Sequence, residues 1–287
     1  PPPPPPPPFF FHPVHGIRDP LWSRGLGDVY KRQDLLNQRK KYIKRGKPLS
    51  HKDWRNVDTA LLSTRKLINS ANRTKKNIHI LHITTEEEVK LLRKNRKYVS
   101  FEVTPQHLTL SAPSCYNKLG TFAQMNPPIR EKKHLNYLRK TLKAGKIDII
   151  GSDHAPHLKE EKKKIYPNSP SGMPGVQTLL PILLNEVANK FISIHEVVKL
   201  TSYNPMKIFK IQNKGLIKIG YDADLTIIDL NKRKKVLNKD MQTKCGWSPF
   251  HGTSLQGWPV GTIINGEKVY WKNKINKKVF GKPILFS

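Results

Sequence analysis

Apolar residues recur along the central part of the chain at two spacings, one typical of helices and one typical of buried strands. Apolar positions at every third or fourth residue predict helices over residues 53–70, 86–92, 134–142, 176–187 and 194–200. Short runs that are apolar on both faces predict strands over residues 78–83, 98–103 and 147–151. Strands of this kind, alternating with helices, indicate a parallel sheet that is covered by helices.

The pattern changes after about residue 212, where glycines separate short candidate strands. Residues 225–228 predict one strand. The runs 260–264 and 268–271 flank Asn265-Gly266, a dipeptide typical of two-residue β-hairpin turns. We therefore expect a small β domain over residues 213–287.

The first 33 residues have no hydrophobic period. They begin with eight prolines, and residues 16–33 resemble translated adapter sequence. A genuine proline-rich linker is the alternative interpretation, and neither version takes part in catalysis. The predicted organisation is a non-native or disordered leader over residues 1–33, an α/β part over residues 34–212, and the β domain after it.

The strong positive charge changes this picture little. The chain has 52 Lys and Arg against 21 Asp and Glu, for a net charge of +31. Such a charge can mark a nucleic-acid-binding protein. Here the lysines are spread over predicted helices, loops and the tail, and do not cluster on one element. We therefore interpret them as surface residues and expect no nucleic-acid partner, although anionic substrates should be attracted at low salt.

The remaining composition limits the class of protein. The chain has no apolar run of about 18 residues and no secretory signal pattern, so we expect no membrane partner. Cys115 and Cys245 lie far apart in no metal-type pair, which indicates reduced thiols and a cytoplasmic location.

Candidate chemistry centres on the string Gly151-Ser152-Asp153-His154-Ala155-Pro156-His157, at the end of the third predicted strand. An Asp at the carboxyl end of a buried parallel strand projects into the mouth of an α/β barrel, where ligands bind. A carboxylate there can ligate a metal and accept a proton from water. A lone loop Asp or His is more often only a hydrogen-bonding residue, so the inference depends on the whole string.

His82 has a matching position near the end of the strand predicted over residues 78–83. His79 precedes it by three residues, so in a regular strand the two rings point to opposite faces. His82, being nearer the carboxyl end, is the predicted ligand, and His79 is expected to pack behind the sheet.

These motifs resemble the long-type bacterial dihydroorotases of the amidohydrolase superfamily. The resemblance covers the chain from about Asp34 to its end, in the same order. Its matching segments are 80–85, 102–108, 125–130, 151–157, 170–175, 204–205, 220–224 and 244–250.

The resemblance implies part of a TIM-type (β/α) barrel over residues 34–212 and a small C-terminal β domain. It also implies reversible hydrolysis of the cyclic amide of dihydroorotate to N-carbamoyl-aspartate in pyrimidine biosynthesis, with one or two Zn²⁺ ions. His82 would ligate one metal. Asp153 would ligate the other and, as general base, move a proton from the attacking hydroxide to the leaving ring nitrogen. The implied substrate-binding residues are Asn126, His157, Ser171 and Gly172.

The family's other metal ligands are not found in this sequence. Relatives place a His-x-His pair, a bridging carboxylate and a further His before the segment that corresponds to His82. A catalytic zinc needs about three protein ligands and a water, so we expect this polypeptide alone to be an inactive fragment.

Alternative interpretations of the function and of the partners stay open. A related cyclic amidohydrolase of hydantoinase or allantoinase type would use similar Asp and His positions, although the loop 170–175 and the Asn126 motif favour dihydroorotase. A non-catalytic scaffold subunit is a further alternative, against which the retained Asp153 and His157 argue. The resemblance leaves open a homodimer or a complex with a transcarbamoylase.

Overall fold

The computed structural model describes residues 36–279 and 281–287; the leader predicted over residues 1–33 lies outside them. Helices dominate up to residue 209. The α-helices are His51–Trp54, Val57–Thr74, Glu86–Arg93, Pro105–Thr109, Ser114–Leu119, Lys132–Lys143, Lys159–Lys162, Val176–Ala188, Ile194–Val198 and Asn204–Phe209. Short 3₁₀ turns are Arg39–Tyr42, Pro48–Ser50, Gly120–Ala123 and Asn238–Asp240, and Lys199–Tyr203 forms a π-helical turn.

Two of the predicted helices begin directly after a capping residue. Asn56 accepts a hydrogen bond from the backbone N–H of Thr59 at 3.1 Å, so the long helix starts at Val57 and not at the predicted residue 53. Residues before that cap form a separate short helix. Thr85 and Glu88 cap the next helix reciprocally, as expected for a threonine followed three residues later by a glutamate.

Three short parallel strands form the first sheet. They are β1 (Ile78–Ile80), β2 (Val99–Val103) and β3 (Ile149–Ile150), in that order, with β2 in the centre. Every predicted strand of this part is present, in shorter form. One face carries the main apolar core, in which Phe101 and Val103 are fully buried. Large apolar side chains buried in this way are the main source of stability in such a layer.

The opposite face of this sheet is polar, which corrects the prediction for His79. Ile78 and Ile80 face the helices, so His79 between them faces the other side, towards the barrel interior. Its Nδ1 lies 2.8 Å from the hydroxyl of Ser100, the residue opposite it on β2. His79 is therefore not packed behind the sheet.

Four antiparallel strands form the second sheet, in sequential order. They are β4 (Leu225–Lys235), β5 (Ser254–Ile264), β6 (Glu267–Trp271) and β7 (Lys274–Ile275). The predicted hairpin is confirmed: Asn265 and Gly266 have φ of 50° and 82°, as a two-residue turn of this type requires. Register shifts near residue 228 and after residue 229 let β4 continue well beyond its predicted end.

Apolar packing joins the second sheet to the helical part of the chain. The helix Val176–Ala188 lies against β5, where Gly257 approaches so closely that a Cβ would stand 2.5 Å from Leu184 Cβ. Cys245 and Trp247 belong to the same buried cluster as Met125. The division of the chain at residue 213 stays a prediction, and the packing across it is continuous. No helix in the described part of the chain is long and apolar enough to span a membrane.

Candidate active site

Asp153 and His82 follow two strands of the parallel sheet at their carboxyl ends. Both have left-handed backbones, with φ of 41° at Asp153 and 40° at His82, a conformation that is uncommon outside glycine. Burial raises the pKa of the Asp153 carboxyl, the nearby charge of Glu102 raises it further, and His82 acts in the opposite direction. The two predicted metal ligands therefore lie at the same edge of the sheet, with β2 between their strands.

Glu102 is a member of this site that the sequence did not single out. It lies on β2 next to Gly151, where a Cβ would stand only 2.3 Å from the Glu102 Oε1 atom. Its Oε2 atom lies 3.3 Å from His79 Nε2. Gly151, two residues before Asp153, therefore makes room for the Glu102 carboxylate. A charged residue inside the apolar run 98–103 was the signal that could have revealed it.

The donor types fit a zinc site, but their number does not complete one. An imidazole and a carboxylate are ordinary zinc ligands, and both stand at the strand ends where catalytic metals bind in barrels. Within residues 36–279 and 281–287, however, no group of three His, Cys, Asp or Glu side chains is arranged to hold a metal ion. His82 and Asp153 can therefore supply part of a coordination set only.

Asn126 is held by a buried histidine. His51 Nε2 lies 2.9 Å from Asn126 Oδ1 and 3.2 Å from the carbonyl oxygen of Met125. Both partners accept hydrogen bonds, so Nε2 carries the proton. Burial, and secondarily the charge of Arg55, lower the pKa of His51 to about 3, so this ring is neutral.

Ser171 and Gly172, two further predicted substrate residues, share a loop that lies beside Asn126. The side chain of Gln124 donates to Ser171 Oγ at 3.0 Å and to the carbonyl of Ser169 at 2.9 Å. The Gly172 N–H donates to the Gln124 carbonyl at 3.0 Å. With that N–H engaged, Ser171 is the better placed of the two to contact a substrate.

Gly172 has to be glycine because another loop crosses it. Its φ is 149°, and an added Cβ would stand 2.5 Å from the carbonyl oxygen of Ala155. Ala155 belongs to the loop that follows Asp153, and its N–H donates to the carbonyl of Met173 at 3.0 Å. The loop carrying Ser171 and the loop carrying Asp153 are therefore packed backbone to backbone.

His157 contacts this same loop. Its Nε2 lies 3.2 Å from the carbonyl oxygen of Ser171, and its own carbonyl accepts a hydrogen bond from Trp247 Nε1 at 2.8 Å. The four predicted substrate residues are thus connected to one another through Gln124, His51 and the two packed loops.

His107 supports the segment that carries Asn126. Its Nε2 lies 3.1 Å from the carbonyl of Pro127, the residue after Asn126, and its Nδ1 lies 2.8 Å from the Thr104 hydroxyl. Burial lowers the pKa of His107 to about 3, and the charge of the neighbouring His82 contributes to that shift. A small cavity of about 20 Å³ is lined by both His82 and Pro127.

A family model described as "Amidohydrolase family" matches residues 39–269. The chain belongs to the amidohydrolase family. This span includes the whole parallel sheet, strands β4 and β5 of the second sheet, and every predicted site residue.

Curated relatives of this amidohydrolase are named dihydroorotase. The protein from Methanosphaera stadtmanae is 35% identical over 246 residues, which are 85% of this chain and 56% of that protein. The protein from Pyrococcus furiosus is 38% identical over 221 residues, 77% of this chain and 51% of that protein. The chain spans about half the length of the curated relatives it matches.

Solved structures confirm the predicted fold class. The amidohydrolase is similar to L-hydantoinase from Arthrobacter aurescens, with a TM-score of 0.79 and 26% identity over 85% of this chain and 56% of that one. Dihydropyrimidinase from Brevibacillus agri has a TM-score of 0.77 and 23% identity over 85% of this chain and 55% of that one, and supports the fold alone. The three parallel strands are thus part of a TIM-type barrel, accompanied by a β domain.

Proposed function

We propose that this chain is the part of a dihydroorotase that carries one carboxylate metal ligand, one histidine metal ligand and the wall of the substrate site. The reaction is the reversible hydrolysis of dihydroorotate to N-carbamoyl-aspartate, in pyrimidine biosynthesis. The single observation that supports this most directly is the position of His82 and Asp153, which follow β1 and β3 at the same edge of the sheet. Asn126, His157 and Ser171 are connected to one another by hydrogen bonds.

In the proposed reaction, Asp153 moves one proton. The oxygen of the attacking hydroxide bonds to the amide carbonyl carbon, and Asp153 accepts the proton that this hydroxide carries. The bond between that carbon and the ring nitrogen then breaks, and Asp153 delivers the proton to the nitrogen.

Asn126, Ser171 and His157 bind and orient the substrate in this proposal. His51 holds the Oδ1 end of the Asn126 amide, which leaves Nδ2 as the donor for a substrate carbonyl or carboxylate oxygen. A site that presents donors to anionic oxygens suits both dihydroorotate and N-carbamoyl-aspartate.

Zinc dependence is part of the proposal. When bound, zinc polarises the amide carbonyl and lowers the pKa of the attacking water. His82 and Asp153 would hold it, together with at least one further ligand, because about three protein ligands are needed. The 287-residue chain by itself is therefore proposed to be inactive. Location in the cytoplasm and self-association, or a complex with a transcarbamoylase, are further proposals that follow from the resemblance.

A fusion protein tests the proposal directly. The portion of the Methanosphaera stadtmanae dihydroorotase that this chain does not match would be joined before residue 36. We expect dihydroorotate hydrolysis by the fusion, none by the chain alone, and none by the fusion with Asp153→Ala. A fusion that unfolds cooperatively but has no activity with dihydroorotate would contradict the proposal.

A hydantoinase-type activity is the second candidate, because the solved structures similar to this chain include an L-hydantoinase. The same fusion, incubated with hydantoin and with dihydrouracil, distinguishes the two. We expect dihydroorotate to be preferred by about tenfold or more, because anionic oxygens can bind the donors of Asn126 and Ser171 while neutral rings offer fewer such contacts. A preference for hydantoin would replace the proposal by this alternative.

A further inference from the structure

Lys162 is a buried lysine in an unusual environment. Its side chain is 0% exposed, although it lies on a short helix, Lys159–Lys162, between charged and solvated neighbours. Its Nζ donates to three backbone carbonyls, those of Gln124 at 2.9 Å, Pro170 at 2.8 Å and Gly172 at 3.1 Å. The ion pairs found in the described chain do not include this lysine. All three ammonium protons therefore go to backbone oxygens.

Burying an ammonium group without a carboxylate is costly. Burial disfavours the charged form and lowers the pKa of Lys162 to about 7. The three carbonyls oppose this effect because each stabilises the charged form, which has one donor for each of them. A hydrophobic side chain of similar length would fill the same space without that penalty. The presence of a lysine at this position is therefore explained by the backbone segments that its three hydrogen bonds join.

The three carbonyls belong to two separate segments of the proposed substrate wall. Gln124 precedes Asn126 by two residues, and Pro170 and Gly172 flank Ser171 on both sides. The same two segments are also joined by the Gly172 N–H to the Gln124 carbonyl. Lys162 therefore cross-links the segment that carries Asn126 to the loop that carries Ser171.

A third substrate residue is connected through an aromatic ring. Lys162 Nζ lies 5.9 Å from the centre of the Trp247 ring, within the range of a cation–π interaction. Trp247 donates to the carbonyl of His157, as described above. The lysine is thus adjacent to the supports of Asn126, Ser171 and His157 at once.

We infer that Lys162 is a positioning residue, whose ammonium group sets the spacing between Asn126 and Ser171 and so the shape of the substrate site. The inference about substrate rests on the proposed function, whereas the cross-link itself does not. Lys162 does not touch the reacting atoms. It acts through the two backbone segments that it joins.

Hydrogen exchange measured residue by residue tests the cross-link without any ligand. In Lys162→Met, which keeps the chain length but has no donors, we expect exchange at the Gly172 amide to accelerate by about tenfold or more, the effect of one lost hydrogen bond. Amides of β2, such as that of Phe101, should keep their wild-type protection. Lys163→Met, at an exposed neighbouring position, is the matched control and should change neither.

Two outcomes would overturn the inference. Gly172 protection that is equal in Lys162→Met and wild type would show that the lysine does not hold the loop. An equal loss of protection at Gly172 and throughout β2 would show that the lysine supports stability in general and positions nothing.

A measurement on the unsubstituted chain covers the case in which Lys162→Met does not fold. Mild acetylation followed by mass spectrometry gives the relative reactivity of each lysine. We expect Lys162 to react more slowly than Lys163 by about tenfold or more, because Lys162 can react only when the cross-link opens. The same opening should allow exchange of the Gly172 amide. Equal reactivity of the two lysines would contradict a closed cross-link.

Binding of N-carbamoyl-aspartate then separates this inference from the proposed function. Calorimetric titration of the wild-type fusion described above should show binding, and Lys162→Met in the fusion should weaken it by about tenfold or more. Absence of binding by the wild-type fusion would reject the proposed function, while the exchange and acetylation results would still decide whether Lys162 holds the two segments. Unchanged affinity in Lys162→Met would reject the positioning role.

Discussion

His51 Nε2 donates a hydrogen bond to Asn126 Oδ1 over 2.9 Å, across 75 residues of sequence. The histidine is almost fully buried, and its other ring nitrogen lies 3.5 Å from the hydroxyl of Tyr166. Both nitrogens therefore have polar neighbours. This arrangement determines which end of the Asn126 amide is available to a ligand.

Replacing His51 by alanine should destabilise the chain. The substitution leaves Asn126 Oδ1 and the Met125 carbonyl without their donor, and we expect a loss of about 1–3 kcal/mol in the free energy of unfolding. Urea denaturation followed by tryptophan fluorescence measures it. His195→Ala, on an exposed helix position, should stay within about 0.5 kcal/mol of wild type. Equal effects of the two substitutions would show that the His51 contacts contribute nothing.

Stability should depend on pH through the same histidine. Its pKa is about 3 in the folded state and near the ordinary 6.5 in the unfolded state, so only the unfolded state binds the proton between these values. The stabilising contribution is therefore complete above pH 6.5 and is lost as pH falls towards 3. Between pH 6 and 5, the stability difference between wild type and His51→Gln should shrink by about 1.2 kcal/mol. A difference that is constant with pH would contradict a neutral buried ring.

Gly172→Ala should be more harmful than the same change at Gly220. Both glycines have positive φ, 149° and 84°, but only the Cβ added at residue 172 would meet another chain segment, 2.5 Å from the Ala155 carbonyl oxygen. We expect Gly172→Ala to cost about 1–3 kcal/mol more than Gly220→Ala because of overpacking. The free energy of unfolding in urea is the readout, and similar costs at the two positions would show that the two loops are not in contact.

Zinc should bind the isolated 287-residue chain weakly, through His82 and Asp153. Dialysis is expected to remove it, since two protein ligands are fewer than a catalytic zinc site has. In a competition titration with a chromophoric chelator, His82→Ala should weaken the remaining affinity by about tenfold or more, and His195→Ala should not. Stoichiometric zinc retained after dialysis would contradict the incomplete site, and equal affinities of the two variants would exclude His82 as a ligand.

The local pattern of the sequence predicted most elements of the fold, because each element is specified by nearby residues. The helix at Glu86 was visible from its acidic first turn, and the hairpin from Asn265-Gly266. Helix ends were predicted less well. The helix expected from residue 53 begins at Val57, because one capping hydrogen bond at Asn56 outweighs the apolar pattern before it.

The supporting residues of the candidate site were not predictable in the same way. Lys162 is one lysine among many in a strongly basic chain, and nothing within its short helix distinguishes it from Lys163. His51 lies in no motif and precedes its partner Asn126 by 75 residues. Glu102 alone had a local signal, as a charge within an apolar strand.

The order of helices and strands, the family resemblance and the strand-end positions of His82 and Asp153 could be derived without the structure. These features depend on periodicity and on neighbours along the chain. Three features became apparent from the folded chain alone: His79 faces the polar side of the sheet, His51 holds Asn126, and Lys162 joins Gln124 to the loop of Ser171. Burial and hydrogen bonding between distant segments arise when the chain closes on itself, and no local spacing encodes them.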